Sequence, residues 1–477
     1  PNSANHFLPA KRIAPVAKTP NFMKTLTAAQ LASIIGAHVV CGDPEALAHA
    51  GVCTDTRKLS NGCIFVALRG ENFDANAFAE KALAAGAAVA IVSDWQGTCA
   101  ANGAVLLVSD TLVALQKLAA WWRDQLPIHV VGLTGSNGKT STKDFTAAVL
   151  GQKFSVYATR GNLNNHIGLP LTVLETTTEH GAAVYEMGMN HPGEIAPLVA
   201  IAKPQIAIIT NIGSAHIEYM GTREAIAREK GSIAANLTEH DTLIIPHDCD
   251  FSELLRGMTQ AKIVTTGGLD DAIRATHVRE NDGCAQFTLV IASQGEAEVT
   301  LSVAGKHMVA NALLAAAAGH LLGVSLEKIA RGLSNATLTS GRLRRFVQND
   351  ITVFDDTYNA NPESIIAGLE TLASVALAPN GKRYAVLGRM AELGIHAEDG
   401  CRRVGERAAA LGLNTIAVGE GADAISRHAG PQARHFSTRE EAVVYLQETL
   451  IAGDAVLFKG SRTSAMELVM KQIFPTS

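Results

Sequence analysis

A lysine and three hydroxyl residues follow a glycine-rich turn in the run Val130-Val131-Gly132-Leu133-Thr134-Gly135-Ser136-Asn137-Gly138-Lys139-Thr140-Ser141-Thr142. Residues of these types in this order suit the holding of a polyphosphate. Backbone N–H groups at such a turn converge on an anion, and a helix that starts there adds its dipole. Lys139 supplies a mobile cation for terminal phosphates, and Thr140 or Ser141 can offer a hydroxyl oxygen to magnesium. The strict Walker pattern wants glycine where Leu133 stands; here the glycine falls one residue earlier, at Gly132. A solvated lysine in a mobile loop would explain a bare Gly-Lys-Thr. The apolar stretch 128–133 before the turn and the helical pattern after it favour the phosphate loop.

Other groups could share that chemistry. Glu186 closes the apolar run 182–185, where a carboxylate is placed either to ligate magnesium beside a nucleotide or simply to meet solvent. His216, after Asn211-Ile212-Gly213-Ser214-Ala215, is a loop histidine or a second metal ligand. Lys230 in Ala227-Arg228-Glu229-Lys230-Gly231 reads as a surface lysine on a helix. Asn311 sits in an otherwise apolar helix opened by Gly305-Lys306-His307. A buried amide needs partners, so it caps a neighbouring loop or reads a ligand such as adenine. Asp355-Asp356-Thr357-Tyr358-Asn359-Ala360-Asn361-Pro362 carries more acid, hydroxyl and amide groups than a turn requires. Gly419-Glu420-Gly421-Ala422-Asp423-Ala424 imitates a dinucleotide fingerprint without its third glycine, and a strand-to-helix turn accounts for it.

These groups need a frame. A length of 477 residues, 47% apolar, fits about three globular domains. We expect an α/β protein divided into 23–109, 110–334 and 335–477. The first is a small α/β domain with strands at 63–68, 87–92 and 104–108. The second has continuous apolar runs at 128–133, 182–185, 205–209 and 242–245, as parallel strands covered on both faces require. The first three of these runs end in polar residues, on the edge where open α/β sheets bind ligands. An alternating stretch, 286–302, reads as an antiparallel appendage. The third, with strands at 351–354, 384–387, 415–418 and 455–458, reads as a doubly wound, Rossmann-like unit.

The net charge of −5 gives no general attraction to nucleic acid or anionic membrane. Arg342-Leu343-Arg344-Arg345 is the one tight basic cluster. The longest apolar run, 308–324, contains Asn311 and His320 and reads as a buried helix rather than a membrane span. Seven scattered cysteines suggest free thiols and a cytoplasmic location. Residues 1–22 lack a signal-peptide core and read as a disordered extension or tag.

Taken together, residues 23–477 resemble the Mur ligase family of ATP-dependent amide-forming enzymes. The loop 132–141 is similar to the family's ATP loop, and Gly161-Asn162-Leu163-Asn164-Asn165-His166-Ile167-Gly168 to its substrate loop. The resemblance implies ATP contacts from Thr134, Gly135, Ser136, Asn137, Gly138, Lys139, Thr140, Ser141, Asn311 on the adenine side, Arg342 at the γ-phosphate and Asp356 at the ribose. It implies two magnesium ions held by Thr140, Glu186, His216 and a carbamylated Lys230, with Lys139, Arg342, His216 and Lys230 as the catalytic set. Thr54, Asp55 and Arg57, followed by Gly62-Cys63-Ile64-Phe65-Val66-Ala67-Leu68-Arg69-Gly70, resemble a uridine-binding domain. Asn162, Asn164 and Asn165 would then hold the UDP-muramoyl peptide, and Tyr358, Asn359 and Asn361 would lie on the acceptor side.

Within the family, Asp356-Thr357-Tyr358-Asn359-Ala360-Asn361-Pro362 and Glu392-Leu393-Gly394 imply a ligase joining D-alanyl-D-alanine to UDP-N-acetylmuramoyl-tripeptide through an acyl phosphate, acting as a monomer. Met308, Arg389 and Ala75-Asn76 depart from the family pattern, where asparagine, aspartate and Gly-His are usual. Rival readings are the ligase that adds the third amino acid, a folylpolyglutamate synthase, a P-loop regulatory ATPase and a dinucleotide oxidoreductase.

Overall fold

The computed structural model describes residues 23–98, 103–281 and 284–475, so the expected extension at 1–22 lies outside the described residues. The chain divides into two compact units, Pro1–Ser33 with Ala37–Leu107 and Ile34–Gly36 with Val108–Ser477. In the first, a five-stranded sheet runs in the order His38–Gly42, Ala104–Leu107, Val89–Val92, Ile64–Val66, Val52–Cys53. Only His38–Gly42 pairs antiparallel; the other pairings are parallel. Phe65, Ala90 and Val105 point from three of these strands into one core. Cys41 is disulfide-bonded, which corrects the expectation of free thiols; spacing along a chain cannot reveal which cysteines meet in space. Cys53, Cys63, Cys249, Cys284 and Cys401 are free.

The second unit holds two six-stranded sheets. One is parallel throughout, in the order Val156–Ala158, Ala182–Glu186, His129–Thr134, Ile206–Ile209, Thr242–Pro246, Lys262–Thr266. Its inner strands are buried on both faces, which explains their continuous Val/Ile/Leu/Ala character. The appendage expected at 286–302 is a three-stranded antiparallel sheet that begins earlier, at Ile273–Asn281, and continues through Cys284–Ile291 and Gly295–Thr300.

The other large sheet runs Arg344–Gln348, Ile351–Asp356, Ala455–Lys459, Arg383–Gly388, Asn414–Val418, Arg434–Phe436, and only Arg344–Gln348 is antiparallel. The α/β class expected from the sequence is the one found. The long apolar run forms the helix Lys306–Leu321, packed on Lys139–Leu150. No described helix is long and apolar enough to cross a membrane.

One buried arginine laces helix ends beneath the parallel sheet. The helix Thr111–Asp124 starts at Asp110, whose carboxylate accepts from the N–H groups of Leu112 and Val113. Near its other end Arg123, 6% exposed, donates to the carbonyls of Ala202 (2.8 Å), Leu126 (3.1 Å) and Lys203 (3.3 Å). Ala202 and Lys203 close the helix Ile195–Ala202, whose last carbonyls have no partner within the helix. Burial lowers the Arg123 pKa, yet the carbonyl fork holds the charged guanidinium. Replacing Arg123 with Met removes every donor while keeping most of the volume. We expect a loss of roughly 2–4 kcal/mol in urea unfolding, the cost of orphaned buried carbonyls and a lost charged donor; a loss under about 0.5 kcal/mol would show that the lacing is idle.

Candidate active site

Register decides what meets the phosphate loop. His129–Thr134 lies between Ala182–Glu186 and Ile206–Ile209, with Leu133 opposite Glu186 and Thr134 opposite Ile209. The chain crosses to one side of this strand and later returns to the other, so the loop leaves the sheet at a topological switch point. Gly132 lies inside the strand, where a Cβ would meet Met187 and Pro204 at 3.0–3.1 Å. That glycine therefore serves packing, and the phosphate loop itself begins at Gly135.

The loop's shape needs its glycines. Gly138 has φ +76° and is the N-cap of Lys139–Leu150. A Cβ there would lie 2.6 Å from Asn311 Oδ1. Asn311 is buried beside this turn, and its Nδ2 donates to Met308 Sδ at 3.8 Å. Gly135 has φ +153°, and a Cβ would come within 1.8 Å of Thr210 Oγ1. Thr210 Oγ1 and Asn211 Nδ2 donate to the carbonyl of Asn137, and Asn211 Oδ1 accepts its N–H.

Thr140 is the meeting point of the charged groups. Its hydroxyl donates to Glu186 Oε2 at 3.1 Å and accepts from Arg342 Nη2 at 3.2 Å. Glu186, only 2% exposed, also accepts from Asn164 Nδ2 at 2.8 Å, and its N–H donates to Thr159 Oγ1. Lys139 Nζ donates to the Gly135 carbonyl at 2.7 Å. Burial lowers the Lys139 pKa, Glu186 opposes that shift, and Arg342 adds to it. Arg342 stacks over the Tyr358 ring at 3.8 Å and is aimed by a backbone kink, with Gly341 at φ +75° and the buried Leu343 at φ +56°. The Leu343 N–H donates to Asp356 Oδ1, and Asp356 Oδ2 takes the Lys459 ammonium at 2.6 Å.

A cleft of about 710 Å³ is lined by the loop residues Ser136 to Ser141, by Asn162, Asn164 and Asn165, and by Glu186, His216 and Asn311. Arg342, Asp356, Tyr358, Asn359 and Asn361 also line it. Thr134 and Gly135 lie beneath the loop and do not line the cleft. The Thr134 hydroxyl is buried without a hydrogen-bond partner among the described residues. Thr54, Asp55 and Arg57 belong to the first unit, where Asp55 caps the turn Thr56–Lys58 and its pKa falls to about 2 because Arg57 donates to it. Ala75 is buried there, and Asn76 bonds Asp74 and Ser93.

Lys230 corrects the sequence reading: it is 1% exposed rather than on the surface. Burial first, and the nearby Lys139 second, push its pKa well below the usual lysine value. The neighbouring Glu229 is committed to the N–H groups of Gly193 and Ile195. His216, at φ +65°, sets Nδ1 2.5 Å from Glu392 Oε2, and the Glu392 pKa is lowered by that contact. Lys459 and Glu363 escaped sequence reasoning. A charged residue at the end of the apolar run 455–458 was the available sign for Lys459; Glu363 carried none beyond helix-start acidity.

Residues 133–319 match the Mur ligase middle domain, and residues 341–462 match the Mur ligase glutamate ligase domain. A UDP-N-acetylmuramoyl-tripeptide–D-alanyl-D-alanine ligase from Escherichia coli is 38% identical over 94% of this chain and 99% of that protein. The crystal structure of MurF from Acinetobacter baumannii superposes with a TM-score of 0.88 at 35% identity, covering 95% of this chain and 100% of that one. MurF from Thermotoga maritima, solved with ADP, gives 0.80 at 28% identity over 89% and 96%.

Gly135→Ala tests the loop directly. The added methyl must displace Thr210 and free Asn137, so calorimetry should show ADP affinity reduced at least about tenfold, the worth of one or two charge-assisted hydrogen bonds. Unchanged affinity would detach this loop from nucleotide binding.

Proposed function

Because the chain belongs to the Mur ligase family of ATP-dependent amide-forming enzymes, we propose that it joins D-alanyl-D-alanine to UDP-N-acetylmuramoyl-tripeptide in peptidoglycan precursor synthesis. The observation that carries this reading is the convergence of Lys139, Thr140, Glu186 and Arg342 on one phosphate loop, from strands and loops of two different sheets. The near-complete coverage of ligases of that name supports the choice of substrates.

In this reading the terminal carboxylate of the tripeptide attacks the γ-phosphate of ATP, and ADP leaves. In-line transfer needs positioning and charge neutralisation more than covalent help. Lys139 at the end of the loop and Arg342 beside Thr140 supply that charge. The resulting acyl phosphate is attacked at carbon by the dipeptide amine, and phosphate departs. Such an intermediate hydrolyses readily, so water must be kept from the cleft. Asn162, Asn164 and Asn165 line the same cleft and would take the tripeptide; Tyr358, Asn359 and Asn361 also line it and would face the dipeptide.

The donor set fits magnesium. That ion is commonly held by one or two carboxylates with substrate phosphates completing its shell, and a buried Glu186 hydrogen-bonded to the Thr140 hydroxyl offers such a pair. Magnesium there would neutralise phosphate charge. His216 and Lys230 are the residues for a second ion. Burial lowers the Lys230 pKa and so favours loss of its proton; an amine that has lost its proton can react with carbon dioxide, and the carbamate so formed is an anion. We further read the chain as a cytoplasmic monomer of three domains, 23–109, 110–334 and 335–477, with Thr54, Asp55 and Arg57 on the uridine side.

A coupled phosphate assay tests the reaction. With ATP and UDP-N-acetylmuramoyl-tripeptide, phosphate release should depend on D-alanyl-D-alanine and yield a lengthened conjugate by mass spectrometry. Lys139→Ala should lose activity by at least about a thousandfold, a range typical of removing a charge that acts at the transition state. Phosphate release indifferent to the dipeptide would refute the ligase reading. For Lys230, isotope-labelled bicarbonate should give a carbamate resonance that disappears in Lys230→Arg; an identical spectrum in both would remove the modification.

A further inference from the structure

We infer that Asn361 is a positioning residue for the phosphate loop, tying the first turn of an acceptor-side helix to Asn137. The inference rests on the ligase reading for its purpose but not for its geometry. Asn361 Nδ2 donates to Asn137 Oδ1 at 2.7 Å across 224 residues of sequence. Asn361 is also the N-cap of Pro362–Ser374: its Oδ1 accepts the Ser364 N–H at 2.9 Å, and the Ser364 hydroxyl accepts the Asn361 N–H at 3.1 Å.

The cap alone does not call for asparagine. Serine, threonine and aspartate accept from the same helix N–H groups about as well. What an amide adds is a donor on the far side of the accepting oxygen, and here that donor is spent on the phosphate loop. Asn361 is 8% exposed, so water competes little for it.

Asn137 is otherwise held through its backbone, by Thr210 and Asn211, and among the described residues Asn361 is the hydrogen-bond partner of its side chain. A second contact follows the same line. Glu363, two residues further on, accepts the Ser214 hydroxyl at 2.8 Å and its N–H at 3.3 Å, while its other oxygen meets Arg403. Ser214 lies in the same loop that carries Thr210 and Asn211. The helix turn therefore docks twice onto the loops that shape the phosphate cradle. The shape of the cradle therefore depends on the seating of this helix turn as well as on the loop's own residues.

The test uses the full chain with Asn361→Ser, which keeps a capping oxygen but cannot reach Asn137, together with Asn137→Ala and the double variant. Melting temperature, ADP affinity by fluorescent-analogue competition, and separate KM values for ATP and the dipeptide are the readouts. We expect Asn361→Ser to melt within a few degrees of the parent, to bind ADP about 3- to 10-fold more weakly, the worth of one hydrogen bond, and to raise the KM for ATP by more than the KM for the dipeptide.

The double variant should be no weaker than Asn137→Ala. Parental ADP affinity in Asn361→Ser, or losses that add in full, would overturn the proposal. So would a large drop in melting temperature with parental ADP affinity in the cold, which would leave Asn361 a cap and nothing more. ADP binding does not involve the acceptor, so this outcome stands apart from any failure of the ligase reading.

Discussion

The hydroxyl of Thr140 is where the two sheets of the larger unit meet chemically. It gives its proton to Glu186, from the parallel sheet, and takes one from Arg342, which precedes the mixed sheet. A threonine hydroxyl can do both at once because it has one donor and two lone pairs. Without it, Glu186 and Arg342 would have to pair directly or remain uncompensated in a buried setting, and buried charges without partners are costly. The surrounding architecture serves this contact. Strand register brings Glu186 beside the loop, Asn164 engages its second oxygen, and the kink at Leu343 turns Arg342 inward.

Lysines show how one residue type takes different forms in one molecule. Lys459 is buried with partners, since Asp356 and the Asn359 carbonyl accept from its Nζ. Lys143 is buried beside Asp144 and the Thr159 carbonyl. Lys230 is buried without such a partner among the described residues: burial first and Lys139 second lower its pKa, and Glu229, committed to the N–H groups of Gly193 and Ile195, opposes the fall only as the smallest contribution.

Much of the frame was legible because buried parallel strands announce themselves as unbroken apolar runs. His129–Thr134, Ala182–Glu186 and Ile206–Ile209 were visible this way, and the polar residues after them marked the ligand edge. Val156–Ala158 and Lys262–Thr266 went unseen: each is an outer strand, short or rich in threonine and lysine, with no continuous apolar run to betray it. The basic cluster 342–345 runs into the edge strand Arg344–Gln348, whose length the arginines alone did not reveal because arginines at a sheet edge look the same as arginines anywhere. Burial of Lys230 was hidden for a different reason. Its helix is strongly polar in sequence, and only tertiary packing puts that one side chain inside. The pairing of Asn137 with Asn361 is likewise a long-range event that no local pattern encodes.

Leu343 holds a left-handed backbone with its side chain buried, a conformation that costs an ordinary residue roughly 1–2 kcal/mol. Glycine would adopt it freely, and selection for robustness alone would favour that replacement. The leucine instead anchors the bend in the core, restricting the angles through which the preceding guanidinium can swing. Molecular tolerance to heat has been exchanged for a narrow cone of approach, a pattern common where aim matters more than endurance.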